Sequence, residues 1–176
     1  MKERIESLAR EQAFDAIGHC KTSVLHAHPE VRDMCAANVC RSYGASWSCP
    51  PACGEVEDYE KRVKAFEHCM VVQTVGQLED EFDIEGMGAA EATQNKRFAS
   101  LVEAASDEGL SFMALGAGPC MLCTECTYPH EACRFPDRMV VSMEAAGFVV
   151  AEVCNEAGVP YNHGPNTISF TGCICF

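Results

Sequence analysis

Apolar residues recur along this chain with two different periods. Ile5, Leu8, Ala9, Ala13, Ala16 and Ile17 follow helical spacing and Gly18 ends the run, which predicts an amphipathic helix over residues 3–17. A short strand is expected at 21–27. Residues 29–54 follow neither period; they are rich in Cys, Pro and small residues, and too long for an idle loop. Val56, Tyr59, Val63 and Phe66 mark a second helix, and its acidic start (Glu55, Glu57, Asp58) and basic end (Arg62, Lys64, His68) suit the helix dipole. The apolar run 69–75 reads as a buried strand. A third helix is expected over 89–108, with Phe98, Leu101, Val102 and Ala105 inward and Gly109 as its stop. Residues 110–117 form another apolar strand. Pro136 and Asp137 open a fourth helix, with Met139, Val140, Met143 and Ala146 on one face and Gly147 closing it. A shorter helix leads to Gly158. The end alternates: Ile168, Phe170, Ile174 and Phe176 on one side; Thr167, Ser169, Thr171, Cys173 and Cys175 on the other. That is the signature of a half-buried strand.

Strands alternating with helices predict an α/β layered domain with a mixed sheet of four to five strands, flanking helices and cysteine-rich loops. The 176 residues suit one domain, 1–176, large enough to bury a core without disulfide staples. There is no internal repeat, low-complexity segment or linker. The opening MKERIESLAR reads as a helix and not as a signal peptide, and no apolar run approaches the roughly 18 to 20 residues that span a bilayer. A cytoplasmic protein is expected. The formal charge of −13 argues against nucleic acid as a partner, since phosphate binding needs clustered Lys and Arg. An acidic surface serves solubility and equally fits docking of a basic redox partner.

Thirteen cysteines change the picture. An odd count in metal-like spacings, without an export signal, argues for reduced thiols held by metal over a disulfide framework. So many soft ligands also suit a low-oxygen cell. The densest run is GPCMLCTECTYPHEACRFP, in which Cys120, Cys123 and Cys126 stand at successive two-residue gaps and Cys133 follows. A close triplet places three sulfurs on one tight loop, able to take three corners of a cubane, and a looser fourth closes it. Zinc sites more often take thiolates in pairs from separate knuckles. The triplet therefore favours iron–sulfur over zinc. A second set, Cys35, Cys40, Cys49 and Cys53, lies in MCAANVCRSYGASWSCPPACG. Pro50 and Pro51 are expected to hold the backbone extended beyond Cys49, and Gly44 and Gly54 to permit tight turns. This set could hold a second centre or cross over to complete the first, because in two-cluster ferredoxins the fourth cysteine of each run ligates the other cluster. Its spacing is less diagnostic. Trp47 and Tyr43 would shield a cluster from water, or simply serve as core aromatics.

The two signatures, Cys35-x4-Cys40-x2-Tyr43-Gly44-x2-Trp47-x-Cys49-Pro50-Pro51 and Cys120-x2-Cys123-x2-Cys126-x6-Cys133-Arg134-x-Pro136, resemble those of the predicted metal-binding proteins grouped as domain of unknown function 2284. Ser142-Met143-Glu144-Ala145-x-Gly147 fits the same pattern, and the resemblance runs from about residue 30 to 160. It implies metal held by cysteine, iron–sulfur above all, and no particular activity. The terminal Gly172-Cys173-Ile174-Cys175-Phe176 lies outside it.

Other residues have plainer readings. Cys173 and Cys175 point the same way from one strand and could share a metal or oxidise reversibly, although such a pair is more often incidental. Cys20, Cys69 and Cys154 read as small core residues. His130 could replace a thiol but reads first as a surface residue, His163 as a turn residue, and His26 and His28 as a solvated pair. Arg134, directly after Cys133, would raise the potential of an anionic cluster or form an ordinary ion pair. No Ser-His-Asp or Cys-His catalytic arrangement and no Walker loop is evident, and GMGAAEA lacks the dinucleotide fingerprint. The sequence therefore points to an iron–sulfur protein with one four-iron cluster and room for a second, acting in electron transfer or as the redox subunit of a larger enzyme. An enzyme with an open iron site that binds a small substrate, and a protein stapled by structural zinc, are the alternatives.

Overall fold

A computed structural model describes every residue from Met1 to Phe176. In chain order the elements are α1 (Lys2–Glu11), β1 (Ala16–Lys21), a 3-10 turn (Thr22–Val24), α2 (Pro29–Cys35), α3 (Val56–Lys64), β2 (His68–Gln77), α4 (Ile84–Asp107), β3 (Met113–Gly116), a second 3-10 turn (Pro136–Arg138), β4 (Val141–Ser142), α5 (Val150–Glu156) and β5 (Thr167–Cys175). The strands make one mixed sheet in the order β1-β2-β5-β3-β4, antiparallel except for the β3–β4 pair. This is the α/β class with flanking helices that the alternating pattern predicts.

The period of two along the central strands feeds two cores. Met70, Val72, Ile174 and Phe176 face α1 and α4, where Ile5, Leu8, Phe98 and Leu101 cover them. Their neighbours Cys69, Val71, Cys173 and Cys175 face the other side, under Tyr59, Val63, Phe148 and Val153. Full burial of each large side chain contributes about 1.5–3 kcal/mol, so both faces favour this register. The alternation in β5 is as expected. The strand is not half-buried, however: residues 171–175 are buried on both faces because helices cover the sheet on each side.

Three local expectations give way to tertiary packing. The first helix ends at Glu11, Ala13 takes a positive φ of 57°, and Ala16 and Ile17 join β1. Pairing of that segment along β2 from Gln73 to His68 outweighs its helical spacing, and the strand expected at 21–27 becomes a 3-10 turn. In the segment expected to be irregular, Pro29 starts the short helix α2. The fourth helix does not form. Val141 packs into one core and Val140 against the other, which suits a strand, and β4 results. Upstream of β3, α4 begins earlier than its apolar pattern implies, because Asp83 Oδ1 accepts from Gly86 N at 2.8 Å and caps it.

Candidate metal centre

Parallel neighbours in a sheet need a crossover connection, usually a helix. Between β3 and β4 the connection is residues 117–140, and its only regular element is the 3-10 turn Pro136–Arg138. This irregular crossover is the stretch that carries Cys120, Cys123, Cys126 and Cys133. Residues 36–55, between α2 and α3, likewise lack helix and strand and carry Cys40, Cys49 and Cys53, with Cys35 closing α2. Seven of the eight thiols thus sit in the two longest pieces of chain without backbone ladders, and the eighth, Cys35, at the edge of one of them.

The two loops pack on one another. Cys120 N donates to the buried Ser48 Oγ at 2.9 Å, and that oxygen lies 4.0 Å from Cys49 Sγ. Trp47 Nε1 donates to the Glu131 carbonyl at 3.0 Å, and its ring meets Tyr128 edge-on with centroids 5.0 Å apart. Trp47 and Ser48 also line a small pocket whose other walls include Cys120, Cys123, Cys126 and Cys133, closed by Phe135 and Met139. All four thiols are partly buried. Arg134 lines the same pocket and makes no side-chain ion pair; its Nη1 donates to the Glu125 carbonyl at 2.9 Å, clasping the loop across the thiols. Within 117–135 only His130 and Glu131 donate their backbone N–H to backbone carbonyls, both to Thr127. Apart from Cys120 N, which Ser48 accepts, the N–H groups around the cysteines are therefore left for water or for sulfur acceptors.

The second set is also gathered, though more loosely. Cys49 and Cys53 are buried, Cys35 is partly buried and Cys40 is exposed. Burial first, then the nearby Cys40 and Cys49 thiols, pushes Cys35 above the usual thiol range. Burial likewise raises Cys53, against the pull of Arg32. Arg32 Nε donates to the Ala145 carbonyl at 2.7 Å and Nη1 to the Gly54 carbonyl, while its Nη2 is buried without a partner. An unpaired guanidinium N–H beside thiols fits an anionic sulfur centre, which would accept from it. The Pro50–Pro51 segment turns instead of extending.

A third group comes from the sheet. The Sγ atoms of Cys69, Cys173 and Cys175 all lie within 4.8 Å of one another, fully buried. No other three Cys, His, Asp or Glu side chains are drawn so close. The neighbouring Cys173 and Cys69 thiols hold Cys175 well below the ordinary thiol range; Cys173 and Cys175 push Cys69 up, and Cys175 pushes Cys173 up. Thiolates that cap separate irons of a cubane stand further apart than thiolates on one ion, so this trio has the spacing for one ion and not for a cubane. The wider loop thiols remain compatible with a cluster. Cys69 is a core residue, as its apolar run implies, and also a member of this group. Cys154, in contrast, is buried with its thiol near Thr171 Oγ1 and belongs to the core.

A family model described as a predicted metal-binding protein (domain of unknown function 2284) matches residues 19–176. The chain belongs to that family. The match takes in both cysteine loops and also the terminal Gly172–Phe176, which the motif resemblance leaves out. No curated protein and no solved structure matches the chain. This predicted metal-binding protein has no helix long and apolar enough to cross a membrane.

The histidines stay outside these groups. His130 is exposed, His26 and His28 pair with Glu60 and Glu152, and His163 Nε2 donates to Gln73 Oε1 at 2.6 Å. What motif spacing misses in this family member is the convergence of Cys69 with Cys173 and Cys175. It depends on strand register, and no local spacing carries it.

Proposed function

We propose that the protein binds a four-iron four-sulfur cluster through Cys120, Cys123, Cys126 and Cys133 and serves in cytoplasmic electron transfer. Cys35, Cys40, Cys49 and Cys53 would hold a second cluster or complete the first. One observation carries the reading: a crossover with almost no backbone bonding of its own brings all four cysteines to the lining of one pocket. A bound centre would supply the order that a helix normally gives such a connection. When present, the cluster supplies reversible one-electron chemistry. The chain's part is to limit water with Trp47, Phe135 and Met139, and to set positive charge beside sulfur with Arg134 and Arg32. The acidic surface suits a basic redox partner.

A groove beside Cys120, lined by Phe98, Ala99, Val102, Leu122 and Val140, favours a second reading, an enzyme whose exposed iron binds a small apolar substrate. The deciding experiment is iron and acid-labile sulfide per chain after preparation without oxygen, in wild type and Cys123→Ser. Loss of both in the variant supports the cluster. A colourless, iron-free wild type with its loop thiols unbound rejects it. A spectroscopic change at iron on adding small apolar molecules would move the assignment from relay to enzyme.

A further inference from the structure

The sulfur group in the sheet follows from strand register. β2 lies between β1 and β5, and Cys69 is the direct cross-strand partner of Cys20 on one side and of Cys175 on the other. His68 and Phe176 exchange both backbone hydrogen bonds. Cys69 and Cys175, one residue further in, are therefore a non-hydrogen-bonded pair, the closer of the two antiparallel spacings, with side chains directed at each other. Cys173 stands two residues from Cys175 on the same face and its thiol turns into the same space. Cys20, Cys69 and Cys175 thus form a row across three strands, with Cys173 beside it, under the core made by α3 and α5.

We infer that Cys69, Cys173 and Cys175 form a buried three-thiolate site for a single thiophilic d10 cation of the zinc class, separate from both cysteine loops. Thiolates at about 2.3 Å from one ion stand about 3.8 Å apart. These three sulfurs already lie within 4.8 Å of one another, so small rotamer adjustments bring them to that spacing. Cys20 flanks Cys69 on the edge strand, on the side away from Cys175, and stands outside the trio. Cysteines used only as filling would not need to converge. They could be scattered through the core, as Cys154 is.

The test uses the full chain, prepared and reduced without oxygen, incubated with Zn2+ and desalted. Zinc, iron and sulfide are then counted in wild type, in Cys123→Ser and in Cys123→Ser carrying Cys69→Ala or Cys173→Ala. Wild type should retain at least one zinc per chain with three sulfurs at about 2.3 Å by X-ray absorption. In Cys123→Ser one zinc should persist, and adding Cys69→Ala or Cys173→Ala to it should lower that zinc about tenfold or more. Should the alanine variants fail to fold, Cys175→Ser serves instead, with zinc released to a chelator about tenfold faster than from wild type. The inference is overturned if wild type retains no zinc, if fewer than three sulfurs surround it, if the zinc that persists in Cys123→Ser survives Cys69→Ala and Cys173→Ala, or if Cys175→Ser releases it no faster. Zinc taken up by iron-free loop thiols is told apart by its loss in Cys123→Ser.

Discussion

The loop thiols and the sheet thiols of this molecule are organised in opposite ways. Those at 120–133 are close in sequence and spread around the wall of a pocket, in chain that has few backbone bonds. In the sheet, Cys69 is about a hundred residues from the Cys173–Cys175 pair and is brought to it by the pairing of β2 with β5. A loop site needs its ligand to become ordered, whereas a sheet site is built before any ligand arrives.

The sharpest way to break that contrast is to remove metal. Chelation of the anaerobic protein should raise protease cleavage within 36–55 and 117–135 by about tenfold or more, with β2 and β5 still protected in hydrogen exchange. Equal loss of protection in the sheet would mean that the loops and the sheet are one cooperative unit. Next in size is Gly18→Val. A Cβ at Gly18 would press into the Ala157 carbonyl oxygen and the Val159 side chain. Overpacking there should cost about 3 kcal/mol in denaturant unfolding and should disturb Cys20, leaving the loop pocket as it is. Ser48→Ala removes the buried oxygen that accepts from Cys120 N and should destabilise the loop contact by about 1–2 kcal/mol, seen as faster loss of loop metal. Trp47→Phe keeps the ring and loses the hydrogen bond to Glu131, for about 1 kcal/mol at the same contact.

The smallest effect is one of pH. Burial, which outweighs the attraction of Glu6, holds His19 on β1 below its ordinary value of 6.5. The unfolded chain then binds this proton more readily than the folded one, so stability rises with pH through the window below 6.5 and is level above it. His19→Gln should flatten that part of the pH–stability curve while leaving loop metal content unchanged.

Much of this was legible in the sequence because it is local. Cys120, Cys123, Cys126 and Cys133 announce their loop by spacing, and the alternation from Thr167 to Phe176 sorts the two faces of β5. What the sequence hides is decided by distant partners. Ala16 and Ile17 continue a helical pattern but are taken by β2, and Val140 and Val141 look helical yet divide between two cores. The convergence of Cys69 with Cys175 needs the register of β2 against β5, which no window of sequence contains.

The place of β5 in the sheet has a consequence for how the molecule comes into being. β5 lies between β2 and β3 and joins the β1–β2 pair to the β3–β4 pair, yet it is the last strand along the chain. On a growing polypeptide no strand bridges the two halves of the sheet until residues 167–175 have been made. Both sulfur-rich loops lie ahead of β5 and are synthesised before the strand that makes the sheet continuous.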